Sequence, residues 1–82
     1  MILDVHEVIE VSAVFARGFL KPVSFVWNCR YYKVTEVTGI YKYFTGTSKC
    51  YSYMARSGAD LYEISLNAES MTWQLERIHG DT

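Results

Sequence analysis

With 82 residues, half of them hydrophobic, and a formal net charge of −1, the chain has the length and composition of one small domain with a core. Eight Lys and Arg against nine Asp and Glu lack the basic excess of an electrostatic nucleic-acid binder. No apolar run approaches the length of about eighteen residues that a helical membrane span needs, and two cysteines, Cys29 and Cys50, are too few for a disulfide scaffold.

The first ten residues, MILDVHEVIE, are acidic where a signal peptide would be basic, which places the protein in the cytoplasm. Val5 to Ala16 admits two readings. Asp4 with Glu7 imitates a capping box, and Val5, Val8, Ile9 and Ala16 sit at helical spacing. Val5, Ile9, Val11, Ala13 and Phe15 alternate as a strand would, with Glu7 the exception. The density of β-branched residues favours the strand. Arg17-Gly18 is then a turn, and Pro22 starts the next strand, where a missing N–H does least harm.

Val23 to Val37, VSFVWNCRYYKVTEV, has the pattern of a β-hairpin turning at Asn28-Cys29. A two-residue turn sets Trp27 opposite Arg30, Phe25 opposite Tyr32 and Val23 opposite Val34. Side chains alternate along a strand, so these six share one face. Ser24, Val26, Tyr31, Lys33 and Thr35 take the other. Glu36 on this hairpin calls for a cation on a neighbouring strand. Thr38-Gly39 is a break, Ile40 to Thr45 a fourth strand, and Gly46-Thr47-Ser48 a loop.

Lys49 to Arg56, Leu61 to Leu66 and Met71 to Ile78 complete the pattern, separated by turns at Ser57–Asp60 and Asn67–Ser70. The first of these turns sets Ala55 opposite Tyr62, Tyr53 opposite Ile64 and Tyr51 opposite Leu66. The second sets Leu66 opposite Met71, Ile64 opposite Trp73 and Tyr62 opposite Leu75. One face then holds the large apolar groups, and three strands agree on it. The expected fold is all-β: a single antiparallel sheet of six or seven strands, curled into a small, partly open barrel or roll. Residues 1–82 form one domain, whether whole or trimmed from a longer chain.

The string Phe25 to Val37, with Gly58, Leu61-Tyr62-Glu63-Ile64 and Trp73-Gln74-Leu75-Glu76-Arg77 later, resembles an uncharacterised small bacterial family. Its members carry a pattern close to F-x-W-x-G-R-x-Y-x-V-x-E-V, then G-x-x-Y-E-(I/L) and W-x-L-x-R. The resemblance covers about Phe25 to Ile78. Cys29 departs from it, standing where the family has Gly in the turn. The resemblance implies a fold without an assigned activity. Segments related to that family are attached to, or encoded near, DNA-repair polymerases of the Y class, so the resemblance implies a fold-level association with DNA repair.

No chemistry-bearing motif stands out. There is no nucleophile elbow, no glycine-rich phosphate loop, and no C-x-x-C spacing. His6 and His79 lie near opposite ends of the chain. The expectation is a protein without enzymatic activity, cofactor or metal. Its candidate binding surface comprises Trp27, Arg30, Lys33, Tyr41, Lys42, Tyr43, Lys49 and Arg56. Arg30 across from Trp27 would form a cation–π pair. Val8, Val14, Val26, Met54, Leu61 and Ile78 sit on outward parities and would form a protein-partner or self-association surface if they cluster. The alternative is a weak single-stranded nucleic-acid binder, with tyrosines interleaved with cations between Tyr41 and Arg56.

Overall fold

The computed structural model describes residues 1–80. Seven strands follow one another: β1 (Ile2–Ala16), β2 (Phe19–Trp27), β3 (Arg30–Lys33), β4 (Glu36–Thr45), β5 (Ser48–Ser57), β6 (Asp60–Asn67) and β7 (Thr72–His79). They form one antiparallel sheet in the order β3-β2-β1-β7-β6-β5-β4, curled into a half-barrel. Every neighbouring pair is a sequential hairpin except β1–β7, which joins the two ends of the chain.

Turn chemistry sets most registers. Arg17-Gly18 and Asn28-Cys29 both carry two positive φ angles, as type I′ turns require. Gly46 and Gly58 hold the first turn position in the β4–β5 and β5–β6 hairpins with φ of 62° and 63°, which glycine adopts without steric cost. The expected pairs Trp27–Arg30 and Phe25–Tyr32 are present, as are Ala55–Tyr62, Tyr53–Ile64 and Tyr51–Leu66.

Bulges account for the departures. Pro22 does not start β2; it is buried in mid-strand beside a bulge that leaves Val23 without a partner on β1. Pro costs no ladder bond at such a site. Thr38-Gly39 is likewise no break: Thr38 is the extra residue of a bulge in β4, which already begins at Glu36. The central hairpin therefore ends at Lys33, and Val34-Thr35 carry the chain across to the opposite edge of the sheet. Val34 N donates to Val23 O at 3.0 Å, and Thr35 N to Arg56 O at 2.9 Å.

The last hairpin shifts by two residues from the expected register: Leu66 faces Trp73 and Ile64 faces Leu75. The cause is Asn67. Its side-chain oxygen accepts from the N–H groups of Glu69 and Ser70 at 3.0 and 3.1 Å, and its carbonyl from Met71 N at 2.7 Å. That Asx-type turn makes Ala68–Met71 the loop and leaves Met71 exposed with φ 57°, off the apolar face. Glu76 is then an extra residue relative to β6, and Val5 with His6 oppose it from β1. Beyond this double bulge Ile78 faces Tyr62 and packs on the core, so it leaves the outward set.

Ile9, Phe25, Ala55, Tyr62, Ile64 and Leu75 form the core. Phe25 stacks on Tyr32 at 4.9 Å and meets Tyr62 edge-on at 5.2 Å. Burying a side chain such as Phe25, Ile64 or Leu75 contributes about 1.5–3 kcal/mol each. This cluster fills only the end of the half-barrel that β3 covers. At the other end β2 runs on past β3 from Phe19 to Val23, and nothing among the described residues bridges from it to β4 by strand pairing.

Candidate binding cleft

That open end is a cleft of about 350 Å³, lined chiefly by apolar side chains. Phe15 and Leu20 come from the β1–β2 hairpin, Ile40 and Lys42 from β4, Tyr51 and Tyr53 from β5, and Leu66 and Met71 from β6 and the following loop. At its floor the buried Tyr53 hydroxyl donates to Leu20 O at 2.7 Å and ties β5 to β2 across the gap. Burial, and then neighbouring Tyr51, hold the Tyr53 phenol above its ordinary value, so it stays a donor. At the rim Phe15 is 72% exposed, and Phe19, Ile40 and Met71 are also exposed; Phe44, two residues beyond Lys42 on the concave side of β4, is 69% exposed. Large apolar groups gathered at one opening mark an interaction site more often than the same residues scattered singly.

The candidate residues divide between two faces. Lys42 pairs with Tyr51 and Phe44 with Lys49 on the concave side, where Lys49 Nζ lies 5.6 Å from the Tyr51 ring centre. Tyr41 and Tyr43 pair with Ser52 and Cys50 on the convex side. Arg56 Nε lies 3.7 Å from Glu36, the ion pair expected of that carboxylate. Arg30 and Lys33 are exposed on β3, the edge strand opposite β4. Arg30 makes no cation–π contact with Trp27; the half-buried indole N–H instead donates to Glu7 at 3.1 Å. Glu7 interrupts the apolar alternation of β1 because it meets this polar tip.

Val8 and Val14 are exposed on β1 but stand apart, with Glu10 and Ser12 between them on the same face. Val26, beside Tyr31, is exposed on the same side, and a further group of exposed apolar side chains lies on the concave rim. Phe15, paired with Leu20, and Phe44, paired with Lys49, turn to the concave side, which in a closed barrel would be buried. What exposes them is the shortness of β3, four residues against nine in β2.

A second, polar groove crosses the convex face, bordered by Tyr43, Cys50, Ser65, Gln74 and Glu76. Burial, then Cys50, raise the Tyr43 phenol. Ser65 Oγ donates to Glu76 at 2.6 Å, and His6 Nδ1 lies 2.8 Å from the other Glu76 oxygen. The carboxylate stands between hydroxyl and imidazole, whereas nucleophile activation needs the imidazole in the middle. These bonds tie β1, β6 and β7 together where the bulges bend them. Arg77 does similar work, reaching Asp4 at 3.1 Å and Glu63 at 2.8 Å, and Glu63 holds its guanidinium above the ordinary value.

Both cysteines are free thiols, Cys29 exposed and Cys50 buried. Among the described residues no group of three or more His, Cys, Asp or Glu is placed to hold a metal ion, and no helix is long and apolar enough to cross a membrane. Compared with family models, curated proteins and solved structures, the chain matches none.

Proposed function

We propose that this domain is a non-enzymatic protein-interaction module whose open concave end receives apolar side chains of a partner protein. The observation that carries this reading is the cleft itself, apolar within and ringed by exposed Phe15, Phe19, Ile40 and Met71, with exposed Phe44 next on the concave side of β4. Water covers these groups at a cost of about 25 cal/mol per Å² of apolar surface, which docking would recover. Tyr41 and Tyr43 lie on the opposite face from Lys42 and Lys49, and of the tyrosines between Tyr41 and Arg56 only Tyr51 and the buried Tyr53 share the concave face with those lysines, which leaves a short stacking surface for single-stranded nucleic acid.

Immobilised domain should retain a partner that a Phe15→Ser/Phe44→Ser double variant loses and a convex-face Thr72→Lys variant keeps. Both phenylalanines are largely exposed, so the double variant should melt within a few degrees of the parent. Equal retention by all three, measured again with the purified partner, would overturn the reading.

A further inference from the structure

The backbone at the cleft is as open as its side chains. The β4–β5 hairpin closes on Thr45 and Ser48 around a two-residue turn, and its register runs Phe44–Lys49, Tyr43–Cys50, Lys42–Tyr51, Tyr41–Ser52, Ile40–Tyr53. In an antiparallel pair, residues that exchange bonds alternate with residues whose N–H and C=O point away. Thr45, Tyr43 and Tyr41 therefore bond to β5, while Phe44, Lys42 and Ile40 present N–H and C=O outward. β4 has no partner on that side. The same three residues aim their side chains at the concave face. Natural edge strands are usually blunted by charge, proline or brevity. Here the free edge from Ile40 to Thr45 has no proline and a single charge, Lys42.

Charge gives the occupant its character. Arg17 at the β1–β2 tip, Lys42 in the cleft wall and Lys49 beside the rim engage in no ion pair among the described residues. The three loops that frame the mouth hold one carboxylate, Glu69, which accepts a bond from Ser48. The acids Asp4, Glu36, Asp60 and Glu63 gather at the far end of the sheet. A second copy of the chain suits the edge poorly, because pairing β4 with β4 would collect Lys42 and Lys49 of both copies around one seam.

We propose that the partner docks as an extended acidic strand added to the free edge of β4. It bonds to the backbone of Ile40, Lys42 and Phe44 and turns one row of its side chains to the concave face, apolar groups filling the cleft and carboxylates in that same row meeting Lys42, Lys49 and Arg17. This rests on the interaction-module reading and adds the partner's conformation and charge.

Two labelled decapeptides test it, both with threonine at every second position; in the row between the threonines one carries valine and glutamate in turn and the other valine and lysine. The glutamate peptide should bind at least tenfold tighter, weaken with salt, and slow hydrogen exchange at the amides of Ile40, Lys42 and Phe44. A Lys42→Glu/Lys49→Glu variant, altered only at exposed sites, should reverse the preference. Equal binding of both peptides overturns the acidic partner while leaving the apolar cleft intact. Protection confined to other strands overturns strand addition. A free domain already dimeric through β4 overturns it too. If neither peptide binds but the Phe15→Ser/Phe44→Ser variant still loses its partner, the extended strand is wrong and the module reading survives.

Discussion

Tyr53→Phe removes one oxygen from the floor of the cleft and nothing else. Tyr53 is 1% exposed, and its hydroxyl supplies the one side-chain bond that spans the gap between β5 and β2 among the described residues. A typical hydrogen bond contributes about 0.5–1.5 kcal/mol net, and an acceptor left buried without a partner costs about 1–3 kcal/mol. Leu20 is half-buried, so water from the mouth reaches its carbonyl in part. The expected loss is therefore about 1–2 kcal/mol. For a domain of this size each kcal/mol lowers Tm by roughly 4–8 °C. Urea unfolding followed by tryptophan fluorescence suits the measurement, because Trp73 lies 5.6 Å from the Tyr53 ring. The slope of free energy against urea should not change, since the surface exposed on unfolding is nearly the same. Tyr51→Phe is the control: its ring sits under Lys49, it makes no such bond, and its change should stay within about 0.5 kcal/mol. A Tyr53→Phe variant as stable as the parent would show that the strap across the gap holds nothing.

Two more outcomes follow from the turns and the buried phenols. Cys29→Gly should raise stability by about 1 kcal/mol in the same urea assay, because Cys29 occupies a φ of 64° that costs an L side chain roughly 1–2 kcal/mol; no gain would mean the turn relaxes on substitution. Tyr53 and Tyr62 are both held above 10.0 in the fold chiefly by burial, so the native state keeps protons that the unfolded chain gives up. Stability from these groups is complete below the ordinary tyrosine value and falls as pH rises through the raised native values. The phenolate absorbance of the last tyrosines should therefore appear together with loss of the β-sheet circular dichroism; full titration of all tyrosines in a folded chain would contradict this.

Much of the sheet was legible because local rules were strong. Gly58 in a two-residue turn, followed by Leu61 to Leu66, fixed the β5–β6 register, and Asn28-Cys29 fixed the β2–β3 register despite the missing glycine. The β6–β7 shift was legible in principle, since Asn67 is a turn-capping residue, but the competing four-residue turn at the same place had similar composition. The double bulge at Glu76 had no local signature. It answers to β1, some seventy residues away, and the β1–β7 pairing leaves no trace in any short window. The cleft was hidden for a related reason. Alternation alone does not say whether the side that carries Phe15 and Phe44 is covered; that depends on where β3 stops, and the change of direction at Val34-Thr35 is set by Val23 and Arg56 rather than by the residues that turn.

Gly80 N donates to Met1 O at 2.7 Å, so the two ends of the described chain run side by side on the β1–β7 seam. Rejoined there, the sheet would keep its order from β3 to β4 unbroken. A few added residues between Gly80 and Met1, with the chain opened instead at Gly46-Thr47, would leave every strand its present neighbours. Such a unit can be spliced into a surface loop of a larger host without prising apart the points it is spliced between.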